Sequence, residues 1–220
     1  MTERRGQDPL LSPDSVLHRA AERLARQFTG MVSEETVERV VFESYTALAR
    51  TAQVSTHLPS LAEKFARDRI TALAQSRGLI AKPVPEILYV CVQNSGRSQM
   101  AAALTRHLGG ERVHVRSAGS QPAAGLLPDV EAVLEEIGIS AGDEIPKPLT
   151  DDVVRAADAV VTMGCGDACP LYPGKRYLDW QLADPAELDL DGIREVRDEI
   201  QRHVEQLLTE LAPDLVATST

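Results

Sequence analysis

From residue 87 to residue 211, short apolar runs alternate with longer stretches of helical spacing. No other pattern in the chain narrows the fold as much. Residues 87–92, 113–117, 159–163 and 175–180 read as strands, and residues 98–108, 130–137 and 193–211 read as helices. Strands that are apolar throughout are buried on both faces, and a helix between successive strands is the crossover that parallel pairing requires. This region is therefore expected to be an α/β domain built on a parallel sheet. In such a sheet ligands bind beyond the carboxyl ends of the strands.

The first 80 residues have a different texture. Pro13, Asp14 and Ser15 open a helix whose Val16, Leu17, Ala20, Leu24 and Phe28 recur at three- and four-residue spacing. Ser33 is placed to cap a second helix with Glu34 and Glu35 in its first turn, and Val37, Val40, Val41, Tyr45 and Leu48 form its stripe. A third starts near Pro59 and stops around Gly78. Three amphipathic helices with short links predict an all-α three-helix bundle over residues 1–80, with residues 1–11 as a loose tail. Residues 79–86 carry two prolines and read as the linker to a catalytic domain over 81–220.

Charge excludes one class of partner. Residues 1–80 hold 11 Lys and Arg against 10 Asp and Glu, residues 81–220 hold 12 against 23, and the whole chain carries −10. Neither part offers the basic surface that a phosphate backbone needs, so no nucleic acid is expected. No apolar run approaches a membrane span and no secretory signal opens the chain, so no membrane and a cytoplasmic setting are expected. Three cysteines are too few for a disulfide scaffold. In a reducing compartment they are either packing residues or chemistry.

The turn after the first strand reads Cys91-Val92-Gln93-Asn94-Ser95-Gly96-Arg97-Ser98, and a helix follows. Each part has a role if a tetrahedral oxyanion binds there. The backbone N–H groups of residues 92–97 can wrap an anion, and the helix points its positive end at the same spot. Arg97 can grip two oxygens at once. Asn94 and Gly96 tolerate the left-handed backbone that a tight loop demands. Cys91 is expected to react as its thiolate, the nucleophilic form, with Ser98 donating a hydrogen bond to it. A buried strand cysteine would explain Cys91 alone, but not Asn94, Gly96, Arg97 and Ser98 together.

The segment ILYVCVQNSGRSQM resembles the phosphate-binding loop of the low-molecular-weight protein tyrosine phosphatase fold, and its NSGRSQMA wording resembles the arsenate reductases of that fold. The similarity extends over residues 86–211 through VRSAG (115–119), PKPLTDDVV (146–154) and VVTMGCGDACP (160–170). It implies a four-stranded parallel sheet flanked by helices, a nucleophilic Cys91 and an oxyanion-gripping Arg97. Asp184-Pro185 matches the family's catalytic acid, which protonates the leaving oxygen. Taken by itself, an Asp-Pro pair is an ordinary turn.

Cys165 and Cys169 follow the third strand in GCGDACP. On a helical turn their Cβ atoms would stand about 5–6 Å apart, wider than the roughly 3.5–4.5 Å of a disulfide. Gly164, Gly166 and Pro170 make a deformable segment. A zinc site lacks its four ligands, and no metal or cofactor is expected. Spare buried thiols remain one reading. The resemblance implies another, in which Cys91 attacks arsenate, Cys165 attacks Cys91 and Cys169 attacks Cys165. Thioredoxin then restores the pair, or mycothiol serves as reductant with only Cys91 essential. The four-residue interval is tighter than in better-known reductases.

A tyrosine phosphatase is the alternative within the fold. Such enzymes place aromatics after the Asp-Pro to clamp a phenol ring, whereas Ala186, Glu187 and Leu188 follow here. Where that family holds a cation through an acid on the first helix, Ala102 and Ala103 stand. The five histidines are read as surface or structural, Trp180 as packing, and Tyr172 and Tyr177 as rim residues. The N-terminal bundle reads as a packing appendage, with an interaction module as its alternative.

Overall fold

The computed structural model describes residues 12–52, 56–142, 144–164 and 169–211. The expected tail at 1–11 and Cys165 lie outside them. The chain divides into two compact units, Met1–Ile80 and Ala81–Thr220.

The first unit holds three helices, α1 (Pro13–Gln27), α2 (Glu34–Ala49) and α3 (Leu58–Ser76). Ser12 caps α1 by accepting from Ser15 N at 3.3 Å, with Pro13 in the first turn, where a missing N–H costs nothing. Ser33 caps α2 by accepting from Thr36 N at 3.3 Å. Leu17, Leu24, Val37, Val41, Ala66 and Ile70 are buried where the three stripes meet. One charge goes in with them. Arg69 donates to Ser44 Oγ at 3.2 Å and to Glu43 Oε2 at 3.1 Å, and these bonds offset its desolvation.

The second unit runs β1 (Glu86–Cys91), α4 (Arg97–Gly109), β2 (His114–Gly119), α5 (Pro128–Glu135), α6 (Asp151–Ala156), β3 (Ala159–Met163), β4 (Arg176–Asp179) and α7 (Leu190–Leu211). The four strands form one parallel sheet in the order β2-β1-β3-β4. All six residues of β1 are buried, as its central place requires. Alternation along β1 sends Ile87, Tyr89 and Cys91 to one face, where they join Leu104 of α4, Leu134 of α5 and Ile193 and Ile200 of α7. The Tyr89 hydroxyl meets Thr105 Oγ1 at 2.8 Å, and burial raises it well above a tyrosine's ordinary value. Trp180 packs in the same core, stacked on His203 with ring centres 4.9 Å apart. Leu88 and Val90 take the other face, where α6 packs against β1 with Val153 and Val154 buried.

Helix α6 is absent from the strand-and-helix reading of the sequence. Six residues are too few to display a helical period, although two acids in its first turn after Thr150 are a helix-start signal. Among the described residues, no helix is long and apolar enough to cross a membrane.

Candidate active site

Parallel pairing sets Cys91 beside Gly119 of β2 and Met163 of β3, at the carboxyl end of the sheet. From there the chain turns through residues 92–96 into α4. The carbonyls of Cys91, Val92, Gln93 and Ser95 accept from the N–H groups of Ser120, Gln121, Ala123 and Leu127 at 3.1, 2.8, 2.9 and 3.0 Å. The Asn94 carbonyl accepts from Gln99 Nε2 at 3.2 Å. Every peptide here is trans, so each N–H opposes the carbonyl of its own peptide unit. Carbonyls tied outward turn the N–H groups of residues 92–96 inward. Asn94 N shows the consequence, donating to Cys91 Sγ at 3.1 Å. This is the N–H cradle that an oxyanion needs, with the amino end of a 13-residue helix behind it.

Cys91 is 2% exposed. Its sulfur lies 2.9 Å from Ser98 Oγ. Asn94 Nδ2 donates to that same oxygen at 2.8 Å, and the Ser98 hydroxyl still has its proton to offer the sulfur. Asn94 N and Ser98 Oγ thus both stand within hydrogen-bond reach of Sγ.

Asn94 organises the loop. Its φ of 50° is the one positive value among the described non-glycine residues. Its Oδ1 accepts from Lys147 N at 2.8 Å and from Gln99 Nε2 at 3.3 Å. Gly96 has a different role from the one expected of it, since its φ is −130°. A Cβ there would stand 3.3 Å from Pro185 Cγ and 3.4 Å from Leu127 Cδ1, so close approach explains the glycine.

Arg97 and Asp184 are brought together from 87 residues apart. Arg97 Nη2 donates to Asp184 Oδ2 at 2.7 Å, and Nη1 donates to Leu182 O at 3.2 Å. The other carboxylate oxygen of Asp184 accepts from Ala186 N at 3.1 Å, which fixes the short helical turn Pro185–Glu187. Gly164, directly after β3, has its bare Cα against this guanidinium; a Cβ would lie 3.1 Å from Arg97 Nη1.

The candidate residues Cys91, Val92, Gln93, Asn94, Ser95, Gly96, Arg97, Ser98 and Asp184 thus lie in or around one loop. Cys169 is buried, with Sγ 3.9 Å from Pro170 O. The Cys165 assignment cannot be placed within the described residues. Tyr172 and Tyr177, expected at the rim, are bonded to each other and to the chain after Cys169.

Two residues went unread as parts of the site. Gln99 braces Asn94 through one amide group, which also donates to Ile145 O at 3.5 Å. Gly119 leaves the room the loop needs, since a Cβ would lie 2.7 Å from Val92 O and 3.0 Å from Asn94 N. Its presence in VRSAG, at the end of the neighbouring strand, was the available signal.

Residues 86–217 match the model for low molecular weight phosphotyrosine protein phosphatase, and residues 17–74 match the N-terminal domain of protein-tyrosine-phosphatase-like proteins. The thioredoxin-dependent arsenate reductase of Corynebacterium glutamicum is 51% identical with a TM-score of 0.85, covering 91% of this chain and 98% of that one. The glutaredoxin arsenate reductase of a Synechocystis species is 31% identical over 130 residues, 58% of this chain and 98% of that protein. An arsenate reductase of Shouchella clausii is 36% identical over 132 residues, 54% of this chain and 92% of that protein. A cysteine at the end of the central strand, an N–H-lined loop and an arginine opening the next helix are thus joined to a sequence match over more than half the chain, which belongs to the low molecular weight phosphotyrosine protein phosphatase family.

Proposed function

We propose that this chain reduces arsenate to arsenite. Its N–H loop, the α4 terminus and Arg97 bind the oxyanion, and Cys91 Sγ attacks arsenic. An As–S bond forms and one oxygen leaves as water, with Asp184 supplying a proton. Arg97 and Asp184 are ion-paired at 2.7 Å, so the incoming anion competes with the carboxylate for the guanidinium. That exchange frees the Asp184 carboxylate beside the leaving oxygen, where it takes up the proton released as Cys91 ionises and passes it to the departing water.

Reduction comes next. The Cys165 thiolate attacks Cys91 Sγ, the As–S electron pair passes to arsenic, and As(V) becomes As(III) as arsenite departs. The Cys169 thiolate then attacks Cys165 of the Cys91–Cys165 disulfide and expels the Cys91 thiolate. The two electrons now missing from Cys165 and Cys169 come from an external dithiol. Thioredoxin is the favoured donor, in keeping with the reductant named for the Corynebacterium glutamicum relative. A relay that cycles through reduced cysteines suits a reducing compartment, and the cytoplasm is the setting we assign.

One observation carries the choice of reductase over phosphatase. A second buried cysteine, Cys169, follows β3, whose last residue Met163 pairs with Cys91. Phosphoester hydrolysis has no use for it. The test is arsenate-dependent NADPH consumption coupled to thioredoxin and its reductase. Wild type turns over, whereas Cys165→Ser and Cys169→Ser stop after at most one arsenite per Cys91. Full turnover by Cys169→Ser with thioredoxin would sink the three-cysteine scheme. Full turnover with mycothiol alone would name the other reductant, and rapid phosphotyrosine hydrolysis without arsenate turnover would return the phosphatase reading.

A further inference from the structure

Leu171 is 76% exposed, the highest value among the large hydrophobic side chains described. A lone exposed leucine is usually of no consequence. This one differs in how firmly its neighbours are fixed and in where it stands. The Tyr177 hydroxyl accepts from Tyr172 N at 2.7 Å and donates to Pro170 O at 3.2 Å, spanning Leu171 from both sides. Burial, and then the nearby Cys169, raise the Tyr177 hydroxyl above its ordinary value, so it keeps the proton it donates. The Tyr172 ring lies under the Arg155 guanidinium at 4.0 Å, and its hydroxyl donates to Asp151 at the start of α6. With residues 170 and 172 tied to β4 and α6, the backbone cannot fold Leu171 inward.

Leu171 is also two residues from Cys169, which is only 8% exposed. Two residues of extended chain reach about 7 Å. We propose that the Pro170–Leu171–Tyr172 turn is the docking contact for a protein dithiol reductant of the thioredoxin type, with Leu171 as its apolar anchor. The inference rests on the relay reading of Cys165 and Cys169. In the step concerned, a reductant thiolate attacks one sulfur of the Cys165–Cys169 disulfide. A mixed disulfide forms as the internal bond breaks. The reductant's second thiol then attacks its own bonded sulfur, and both cysteines leave as thiols while the reductant becomes the disulfide. A protein held through an S–S bond of about 2 Å must cover a side chain two residues away. A small thiol need not.

The experiment measures steady-state arsenate reduction by the full chain with either thioredoxin and its reductase or dithiothreitol as electron donor. Leu171→Ser and Leu171→Glu are expected to raise the KM for thioredoxin about tenfold or more, the loss typical of a truncated interface anchor. Their dithiothreitol-driven rate and the arsenite released per Cys91 in a single turnover stay at wild-type values. Leu171→Met keeps the thioredoxin KM within about twofold, because volume and polarity are conserved. Tyr177→Phe, which unties the turn, raises the same KM by a smaller factor. An unchanged thioredoxin KM in Leu171→Glu would overturn the docking contact while leaving the relay intact. Equal losses with both donors would overturn it in favour of a structural role. A wild-type chain that turns over with small thiols but not with thioredoxin would remove both the partner and the contact.

Discussion

Gly119 carries no reactive atom, yet the anion loop is closed around it. The Val92 carbonyl that a Cβ would strike at 2.7 Å belongs to the backbone, which cannot swing away as a side chain can. Gly119→Ala is expected to destabilise the chain by about 1–3 kcal/mol through overpacking. The displaced cradle should also weaken phosphate or arsenate binding at least about tenfold. Thermal unfolding and calorimetric titration of the oxyanion measure the two effects, and unchanged binding would show that the loop tolerates the shift. Gln99→Leu leaves the Asn94 carbonyl without its Gln99 donor and should raise the KM for arsenate, at a stability cost of about 1–3 kcal/mol. Asp184→Asn separates chemistry from binding. Loss of the proton donor should slow arsenite release by about 10²–10⁴, while arsenate binding stays the same or tightens because no carboxylate competes for Arg97. Rapid-quench single-turnover kinetics decides, and a wild-type rate would remove Asp184 from the chemistry.

At the scale of elements, caps and periods specify most helices, but charge placement differs between them. Burial would raise the Glu43 carboxyl of α2. Hydrogen bonds from Arg39 and Arg69 outweigh that and hold it below its ordinary value. A depressed carboxylate contributes stability that is present above its unfolded value of about 4.5 and is lost as pH falls through the folded value. Glu43→Gln should therefore flatten the acid limb of unfolding below about pH 4.5, by less than about 1 kcal/mol because the Glu43 carboxylate is itself nearly half exposed, although its partner Arg69 is buried. Urea unfolding between pH 3 and 7 checks this, and identical acid slopes would discard it. Ser12→Ala removes the α1 cap and should cost about 1 kcal/mol. Helices α1, α2, α4 and α7 were legible because each is long enough to repeat its apolar stripe. Helix α6, with six residues, was not.

At the scale of the whole molecule, an anion must approach a chain of net charge −10. Beyond a Debye length of about 10 Å at 0.1 M salt that field is screened, whereas contacts inside the loop are not. Long-range repulsion should thus make the second-order rate of arsenate capture rise about two- to threefold between 10 and 150 mM salt. This is the reverse of a steered substrate. Stopped-flow measurement at the two ionic strengths gives the sign, and a fall with salt would mean that the field near the loop is positive despite the acidic surroundings.

Within the site, residues close in the chain were readable and residues far apart were not. Cys91, Asn94, Arg97 and Ser98 lie on one strand–turn–helix, so local geometry alone brings Ser98 Oγ to 2.9 Å from the sulfur. The alternation after residue 86 implied the parallel sheet in the same way, because the period of side-chain burial is a local property. The cradle's outer frame had no such signal. Its donors are backbone N–H groups of residues 120, 121, 123 and 127 and of Lys147, and a backbone amide looks the same in every residue but proline. The Arg97–Asp184 pair spans 87 residues, and only folding could decide that the arginine proposed to bind the anion is met by the proposed acid. The sequence determined which chemical groups this protein carries and in what local order. The tertiary structure decided which carbonyls turn away from the anion, because that depends on partners the chain reaches only after its strands have paired.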